Sequence, residues 1–125
     1  MEAVQVFVIK NNQILLLLRK KEPYKNCWCP PSGKVEHGET PEAAAYRETL
    51  EETNISCTAL HFYRKLLNPE TGSMNYFFTA SAFSGTLKNN ESEKHEVVQW
   101  VSLNKLSQEK NWGLRKWLEL RKENS

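Results

Sequence analysis

The sequence predicts a mixed α/β fold, in which helices cover a mixed β-sheet. Apolar runs rich in β-branched residues recur along the chain, two segments have helical composition or spacing, and turn-forming residues separate these elements. Strands interspersed with helices favour a mixed sheet that helices cover. The chain has 125 residues, 39% hydrophobic and 26% charged, which is typical of one soluble globular domain covering residues 1–125.

The first part of the chain is predicted to contain a hairpin followed by an irregular segment. Residues 3–9 (AVQVFVI) are rich in β-branched side chains, and residues 14–19 (ILLLLR) form a second apolar run. Residues 10–13 (KNNQ) break the pattern with two asparagines, which tolerate tight-turn geometry. Residues 23–34 hold three prolines and a glycine, so we expect no regular structure there.

The second half of the chain predicts three strands, one helical turn and a closing helix. The strands are residues 57–67, 75–83 and 97–101, the helical turn is 103–106, and the helix is 112–122. Within this last segment Leu114, Trp117 and Leu118 recur at helical spacing, so we expect an amphipathic helix that closes the domain.

The net charge of +2 is too small to favour nucleic acid or a membrane surface as a partner. Basic residues nevertheless gather in two clusters, which are either solvated surface or a field that attracts an anionic phosphate. The clusters are Arg19, Lys20, Lys21 and Lys25, and Arg115, Lys116, Arg121 and Lys122.

Cysteine usage favours a reducing compartment. Cys27, Cys29 and Cys57 are odd in number and lack zinc-site spacing, so we interpret them as small apolar residues. The chain shows no secretory signal and no apolar run of the roughly 20 residues that a membrane helix needs. We therefore expect a cytoplasmic protein.

Residues 41–53 predict a helix with well-defined ends. Thr40 is a good N-cap, Pro41 a good first helical residue, and Asn54 a good left-handed C-cap. At about 100° per residue, Ala43, Tyr46 and Leu50 form an apolar stripe that we expect to pack on the sheet.

Three carboxylates, those of Glu48, Glu51 and Glu52, fall on the opposite side of this helix as neighbours at i, i+3 and i+4. Like charges at this spacing repel each other by a few tenths of a kcal/mol. The face is either a solvated acidic surface or a site for a hard cation. Magnesium prefers oxygen ligands, usually one or two carboxylates together with substrate phosphates and water.

The stretch 33–55 (GKVEHGETPEAAAYRETLEETNI) resembles the signature of the Nudix hydrolases, which cleave nucleoside diphosphates linked to another group. The family pattern is Gly, five residues, Glu, seven residues, then Arg-Glu-U-x-Glu-Glu-x-Gly-U, where U is a bulky aliphatic residue. The matching residues are Gly33, Glu39, Arg47, Glu48, Glu51, Glu52 and Ile55. Thr49 and Asn54 depart from the pattern, and neither change removes a charged group.

The resemblance implies a Nudix-type α/β/α sandwich with a loop-helix-loop signature and a Mg²⁺ cofactor, or Mn²⁺ in its place. It implies that the Gly33 carbonyl, Glu48, Glu51 and Glu52 ligate the metal, with Glu51 ligating or activating the attacking water and Glu52 also counted as catalytic. It further implies that Glu39 pairs with Arg47 as structural support.

In relatives a carboxylate from a later loop often acts as a base or an extra ligand. Glu96 is the main candidate here and Glu93 the second, in the segment 92–100 (SEKHEVVQW). His95 lies between them, and we interpret it as a solvated histidine of a polar loop.

By analogy with MutT-like enzymes, Arg19 and Lys20 are expected near the phosphates or the base, and Asn111 reads the base. Aromatic side chains are either core residues or platforms on which a base stacks. Trp28 is the main candidate for stacking, and the others are Tyr24, Tyr76, Phe78 and Trp112.

The predicted substrate is a small nucleotide, a (d)NTP or an oxidised dNTP, which is hydrolysed to a nucleoside monophosphate and pyrophosphate. ADP-ribose, dihydroneopterin triphosphate and capped RNA remain alternatives, as does a binding module without catalysis. Pro69 lies downstream of the signature, where relatives that act on ADP-ribose tend to carry a proline. We expect a monomer or a homodimer.

Overall fold

The structure, a computed structural model, describes residues 1–123. Within this range the strands are β1 (Glu2–Lys10), β2 (Gln13–Arg19), β3 (Trp28–Cys29), β4 (Ser32–Lys34), β5 (Ser56–Cys57), β6 (His61–Leu67), β7 (Met74–Ala80), β8 (Phe83–Ser84) and β9 (His95–Ser102). The helices are α1 (Pro41–Thr53) and α2 (Trp112–Glu123), and a 3₁₀ turn spans Leu103–Lys105. Neither helix of the described part is long and apolar enough to cross a membrane.

Seven of these strands form one mixed sheet, as the sequence predicts. Its central path runs β3-β2-β1-β7-β6, while β4 pairs with β1 and β9 pairs with β2. The pairing of β1 with β7 is parallel, and the other pairings are antiparallel. The predicted hairpin of β1 and β2 is present but short, with Ile9 opposite Ile14 and Lys10 opposite Gln13.

The two helices cover opposite faces of this sheet. Val6 of β1 belongs to an apolar cluster with Ala44 and Ala45 of α1, whereas Phe7 belongs to a second cluster with Trp117 of α2. Since successive side chains of a strand point to opposite faces, each helix buries one face of the sheet. The α/β/α layering is thereby confirmed.

The predicted ends of α1 are confirmed, but its predicted buried side is correct only for Tyr46, which packs against the core. The Thr40 hydroxyl accepts a hydrogen bond from the Ala43 amide, and Asn54 adopts a left-handed conformation with φ 66°. Ala43 is exposed, and 46% of Leu50 is accessible to solvent. The sheet-facing side is built from Ala44, Ala45, Thr49, Glu52 and Thr53. Because these side chains are mostly short, the helix lies close to the sheet and its large apolar residues flank the contact.

Three further expectations need correction. The segment 23–34 is not wholly irregular, because β3 and β4 lie within it and pair with β2 and β1. The expected strands 57–67 and 75–83 are each interrupted, and their short pieces β5 and β8 form a separate two-stranded sheet. The last strand begins at His95, two residues earlier than the prediction.

Candidate active site

The carboxylate of Glu52 is buried where α1 meets β4. Its Oε1 accepts a hydrogen bond of 2.9 Å from the backbone amide of Ser32, and the pairing of Ser32 with Gln5 of β1 fixes that amide. Burial raises the pKa of Glu52 well above its ordinary value, and the negative charges of Glu48 and Glu91 raise it further. The Ser32 amide partly offsets this rise. A carboxylate in this position therefore favours a cation beside it.

Glu91 and His95 lie next to Glu52. One ligand atom from each of the three residues lies within 4.8 Å of the other two. The backbone amide of His95 donates to the Glu91 carbonyl at 3.0 Å, so a single turn carries both side chains. The chain before this turn is held to α1 by a bond from the Lys88 amide to the Thr53 carbonyl at 2.9 Å.

This arrangement corrects the expectation for His95 and adds a carboxylate that the sequence interpretation did not include. His95 is 3% exposed and is therefore not solvated. Burial lowers its pKa to about 4, with a smaller contribution from the positive charges of Arg19 and Lys94, so the imidazole is neutral at pH 7. Glu93 and Glu96 are exposed, and the carboxylate that the structure places beside Glu52 is that of Glu91.

The carboxylate of Glu48 lies directly against Gly33. A Cβ atom on Gly33 would lie 2.2 Å from Cδ of Glu48, so only glycine leaves room for this side chain. Burial raises the pKa of Glu48, and its hydrogen bond with Arg47 opposes the rise. The half-buried carboxylate of Glu48 therefore lies next to the backbone of β4.

Arg47 is the centre of an ion-pair network on the outer side of α1. Its Nε and Nη2 donate to the two carboxylate oxygens of Glu39 at 2.7 and 2.9 Å, and Nη1 donates to Glu48 at 2.8 Å. These hydrogen bonds lower the pKa of Glu39 to about 2. Nη2 also donates to the Lys34 carbonyl, so Arg47 ties the loop before α1 to the helix.

Glu51 is the most exposed of the three helix carboxylates. Its Oε1 lies 3.4 Å from Nη1 of Arg47, and 49% of its side chain is accessible to solvent. Glu48 and Glu51 thus share Arg47, while Glu52 lies with Glu91 and His95. Among the described residues, the three helix carboxylates do not gather into one compact ligand group.

A cavity of about 220 Å³ opens beside Glu52. The residues of its wall that bear on substrate chemistry are Arg19, Tyr24, Ser32, Glu52, His95 and Asn111. Arg19 is held by a bond of 2.8 Å from its Nε to the Pro23 carbonyl. Cys29 also lines the cavity, and burial raises its pKa to about 12, so its thiol stays protonated at neutral pH.

The structure brings only some of the expected substrate residues to this cavity. Arg19 and Asn111 line it, but the Asn111 Oδ1 already accepts a bond of 2.9 Å from the Leu114 amide at the start of α2. Lys20 is exposed, and Trp28 lines a separate depression with Lys25.

Of the other aromatic candidates, Tyr24 alone shares the Glu52 cavity. Tyr76 and Phe78 line an open groove at the N-terminal end of α1, and Trp112 is a core residue.

The donor set fits a divalent cation. Carboxylate and carbonyl oxygens are the ligands that Mg²⁺ and Mn²⁺ take. Glu52 is buried and Glu48 half-buried, both with raised pKa values, and Glu91 adds a third negative charge close to Glu52. A cation would offset the cost of placing these charges together away from water.

Glu91 is the candidate ligand that the sequence interpretation missed. It lies outside the signature, in a polar segment with few regular features. The sequence signal that could have indicated Glu91 is its spacing of four residues from His95, because a single tight turn brings two such residues close together.

A family model for the NUDIX domain matches residues 1–120. The ADP-ribose pyrophosphatase of Methanocaldococcus jannaschii is 49% identical over 53 residues, which are 42% of this chain and 31% of that protein. The oxidized purine nucleoside triphosphate hydrolase of Mus musculus is 30% identical over 105 residues, 81% of this chain and 65% of that protein.

Solved structures agree with this relationship. The MutT NUDIX hydrolase of Burkholderia pseudomallei superposes with a TM-score of 0.86 at 29% identity, covering 94% of this chain and 95% of that one. The matches to the first curated relatives span about a third of the length of those proteins, 31% and 27%. The family match covers nearly the whole chain, and the site carries the signature carboxylates in the expected fold. The chain therefore belongs to the Nudix family.

Proposed function

We propose that this chain hydrolyses the phosphoanhydride of a nucleoside diphosphate linked to another group, with Mg²⁺ or Mn²⁺ bound. The preferred substrate is a nucleoside triphosphate, normal or oxidised, which yields a nucleoside monophosphate and pyrophosphate. The observation that carries the proposal is that Glu52 of the signature helix shares one cavity with Arg19 and Asn111. A single site thus offers acidic groups for a cation, a guanidinium for phosphate and an amide for a base.

The ligands of the cation are the Gly33 carbonyl, Glu48 and Glu52, with Glu91 in the place that we expected of Glu96. A bound divalent cation neutralises phosphate charge and lowers the pKa of water. Burial raises the pKa values of both Glu48 and Glu52, and a cation beside them would offset the cost of burying their charges. Arg47 and Glu39 hold the loop before α1, and so fix the position of Gly33.

Glu51 is the general base in this proposal. The water oxygen bonds to phosphorus, the anhydride P–O bond breaks, pyrophosphate leaves with the electron pair, and the water proton goes to Glu51. The exposure of Glu51 suits this role because 49% of its side chain is accessible to solvent, so water reaches its carboxylate. Arg19 lies at the cavity wall, where its fixed positive charge attracts the phosphates.

A second candidate substrate is ADP-ribose, which would be cleaved to AMP and ribose 5-phosphate. The supporting observation is the 49% identity over 53 residues with an ADP-ribose pyrophosphatase. The cleavage uses the same carboxylates, so the two candidates differ only in the group beyond the diphosphate.

The test is a substrate panel with purified protein and Mg²⁺. The panel contains the four dNTPs, 8-oxo-dGTP and ADP-ribose, and products are identified by chromatography. We expect turnover of at least one triphosphate with release of pyrophosphate rather than orthophosphate. The Glu51→Gln variant should lose at least about a hundredfold in rate, the lower end of what general-base help contributes.

Glu42→Gln is the matched control, since Glu42 is also an exposed glutamate of α1 but lies in its first turn. Its turnover should equal that of the unmodified protein. Preferential cleavage of ADP-ribose would select the second candidate. Absence of turnover on the whole panel by folded protein would favour a binding module.

A further inference from the structure

We infer that His95 is a nitrogen ligand of the cation site. The site then has both oxygen and nitrogen ligands. Compared with a site of carboxylates alone, it favours Mn²⁺ or Co²⁺ over Mg²⁺. The inference rests on the proposed function only in that both use the cation site at Glu52. The resemblance to the family signature accounts for the carboxylates and the glycine, and it assigns no role to an imidazole.

The distance between His95 and Glu52 is that of two groups that share an ion. Nε2 of His95 lies 4.0 Å from Oε2 of Glu52, which is too long for a hydrogen bond. Metal–ligand bonds to nitrogen and oxygen measure about 2.0–2.2 Å, so two ligand atoms of one ion lie within about 4.4 Å of each other. The ligand atoms of Glu52, Glu91 and His95 all lie within 4.8 Å of one another.

The imidazole of His95 has no structural hydrogen bond to explain its burial. The residue is 3% exposed, and its Nδ1 has no hydrogen-bond partner among the described residues. The bonds that hold the residue in place come from its backbone. Its amide donates to the Glu91 carbonyl at 3.0 Å, and its carbonyl accepts from Nδ2 of Asn89 at 2.8 Å. Nε2, the nitrogen that faces Glu52, makes no hydrogen bond to it, so a neutral ring with its proton on Nδ1 presents a lone pair toward this carboxylate.

The turn that carries His95 is built to hold it against α1. Asn90 Nδ2 donates to the Leu50 carbonyl at 3.4 Å, and the Lys88 amide donates to the Thr53 carbonyl at 2.9 Å. On its other side, His95 pairs with Arg19 as the first residue of β9. The backbone of His95 is therefore fixed from both sides, which places its ring next to Glu52.

An imidazole ligand changes which ions the site prefers. Carboxylate, carbonyl and water ligands suit Mg²⁺ and Mn²⁺, whereas imidazole suits later transition metals. Affinity for a given set of nitrogen and oxygen ligands rises from Mn²⁺ to Co²⁺. Loss of the imidazole should therefore weaken Mn²⁺ and Co²⁺ binding more than Mg²⁺ binding.

The direct test is pulsed electron paramagnetic resonance on the protein loaded with one equivalent of Mn²⁺. A histidine ligand gives ¹⁴N modulation of the Mn²⁺ echo. We expect this modulation in the unmodified protein and its replacement by a ¹⁵N pattern after labelling with ¹⁵N-histidine. We expect its loss in His95→Gln, together with at least about a tenfold weaker Mn²⁺ affinity. Mg²⁺ affinity, measured by competition, should change by less.

The matched controls are His37→Gln and His61→Gln, because both histidines are exposed. Both variants should keep the nitrogen modulation. The isotope experiment on the unmodified protein needs no variant, so a folding defect in His95→Gln would not leave the question open. Absent modulation, or modulation that persists in folded His95→Gln, overturns the inference.

The outcome is separable from that of the proposed function. Mn²⁺ binding without nitrogen modulation, combined with Mg²⁺-dependent turnover, removes His95 from the site and leaves the hydrolase proposal intact. Nitrogen modulation without turnover on any phosphoanhydride leaves the ligand assignment intact and removes the hydrolase.

Discussion

The two helices of this chain bury opposite kinds of side chains against the same sheet. Apart from Gly113, the buried residues of α2 are large and apolar, namely Trp112, Leu114, Trp117 and Leu118. Those of α1 are small or polar, namely Ala44, Ala45, Thr49, Glu52 and Thr53. The packing of α2 against the sheet therefore depends on apolar burial, whereas α1 buries less apolar surface and places a carboxylate at the sheet.

The polar burial of α1 is compensated locally. The hydroxyls of Thr49 and Thr53 donate to carbonyls one turn earlier in the helix, at 2.9 and 2.6 Å. Caps at Thr40 and Asn54 stabilise the two ends, and Arg47 ties the outer side to the preceding loop. Hydrogen bonds and ion pairs therefore stabilise α1, whereas contacts with the apolar core stabilise α2.

The largest expected effect compares a leucine from each helix. Leu114 of α2 is fully buried, whereas Leu50 of α1 is 46% exposed. Leu114→Ala should lower the free energy of unfolding by about 2–5 kcal/mol, because it leaves a cavity in the core. Leu50→Ala should change it by less than about 0.5 kcal/mol. Urea unfolding followed by circular dichroism measures both, and equal losses would contradict the assignment of buried sides.

A smaller effect compares an arginine from each helix. Arg47→Met keeps the length of the side chain but removes the bonds to Glu39, Glu48 and the Lys34 carbonyl. We expect Tm to fall by about 4 °C or more, the scale of losing roughly one kcal/mol in a domain of this size. Arg115 of α2 forms an exposed ion pair of 3.5 Å with Glu70, and Arg115→Met removes it. We expect this substitution to lower Tm by less than about 2 °C. A larger loss for Arg115→Met would reverse the comparison.

The third comparison concerns the pH dependence that Glu52 gives to the stability of the protein. Its ordinary pKa is 4.5, and the folded protein raises that pKa well above this value. Between the two values the folded chain binds more protons than the unfolded chain, so the free energy of unfolding falls as pH rises. One group gives a slope of at most about 1.4 kcal/mol per pH unit.

The contribution of Glu52 to this slope is the difference in the free energy of unfolding between the unmodified protein and a variant. In EDTA, the stability of the unmodified protein relative to Glu52→Gln should decline as pH rises from about 4.5 through the raised pKa of Glu52. Glu119→Gln, which changes an exposed glutamate of α2, should instead parallel the unmodified protein at every pH. A flat or rising difference for Glu52→Gln would show that its carboxyl is not destabilised by burial.

Local signals in the sequence predicted the elements better than their packing. The ends of α1 followed from Thr40, Pro41 and Asn54, and the bounds of α2 followed from its apolar spacing. The apolar stripe of α1 misled because its two large members, Tyr46 and Leu50, were weighted above the small residues that face the sheet. The parallel pairing of β1 with β7 could not be predicted, since it joins segments far apart in the chain.

The candidate site shows the same division. The signature placed Gly33 and the helix carboxylates in one region, because their spacing along a loop and a helix fixes their relative positions. The neighbours of Glu52 come from elsewhere: Ser32 by strand pairing, and Glu91 and His95 by a turn that packs on α1. A catalytic part for Glu93 or Glu96 stays a prediction, since both side chains are exposed and the carboxylate found beside Glu52 is that of Glu91.

The sequence by itself determined the helix that carries the carboxylates, its caps and the spacing of its acidic residues. These features depend on interactions between residues a few positions apart, and the local sequence specifies such interactions. Only the tertiary structure decided that Glu52 is the buried member of the group and that Glu91 and His95 meet it. Burial and proximity between distant segments depend on how the sheet, α1 and the loop before β9 pack, and no local pattern specifies that packing.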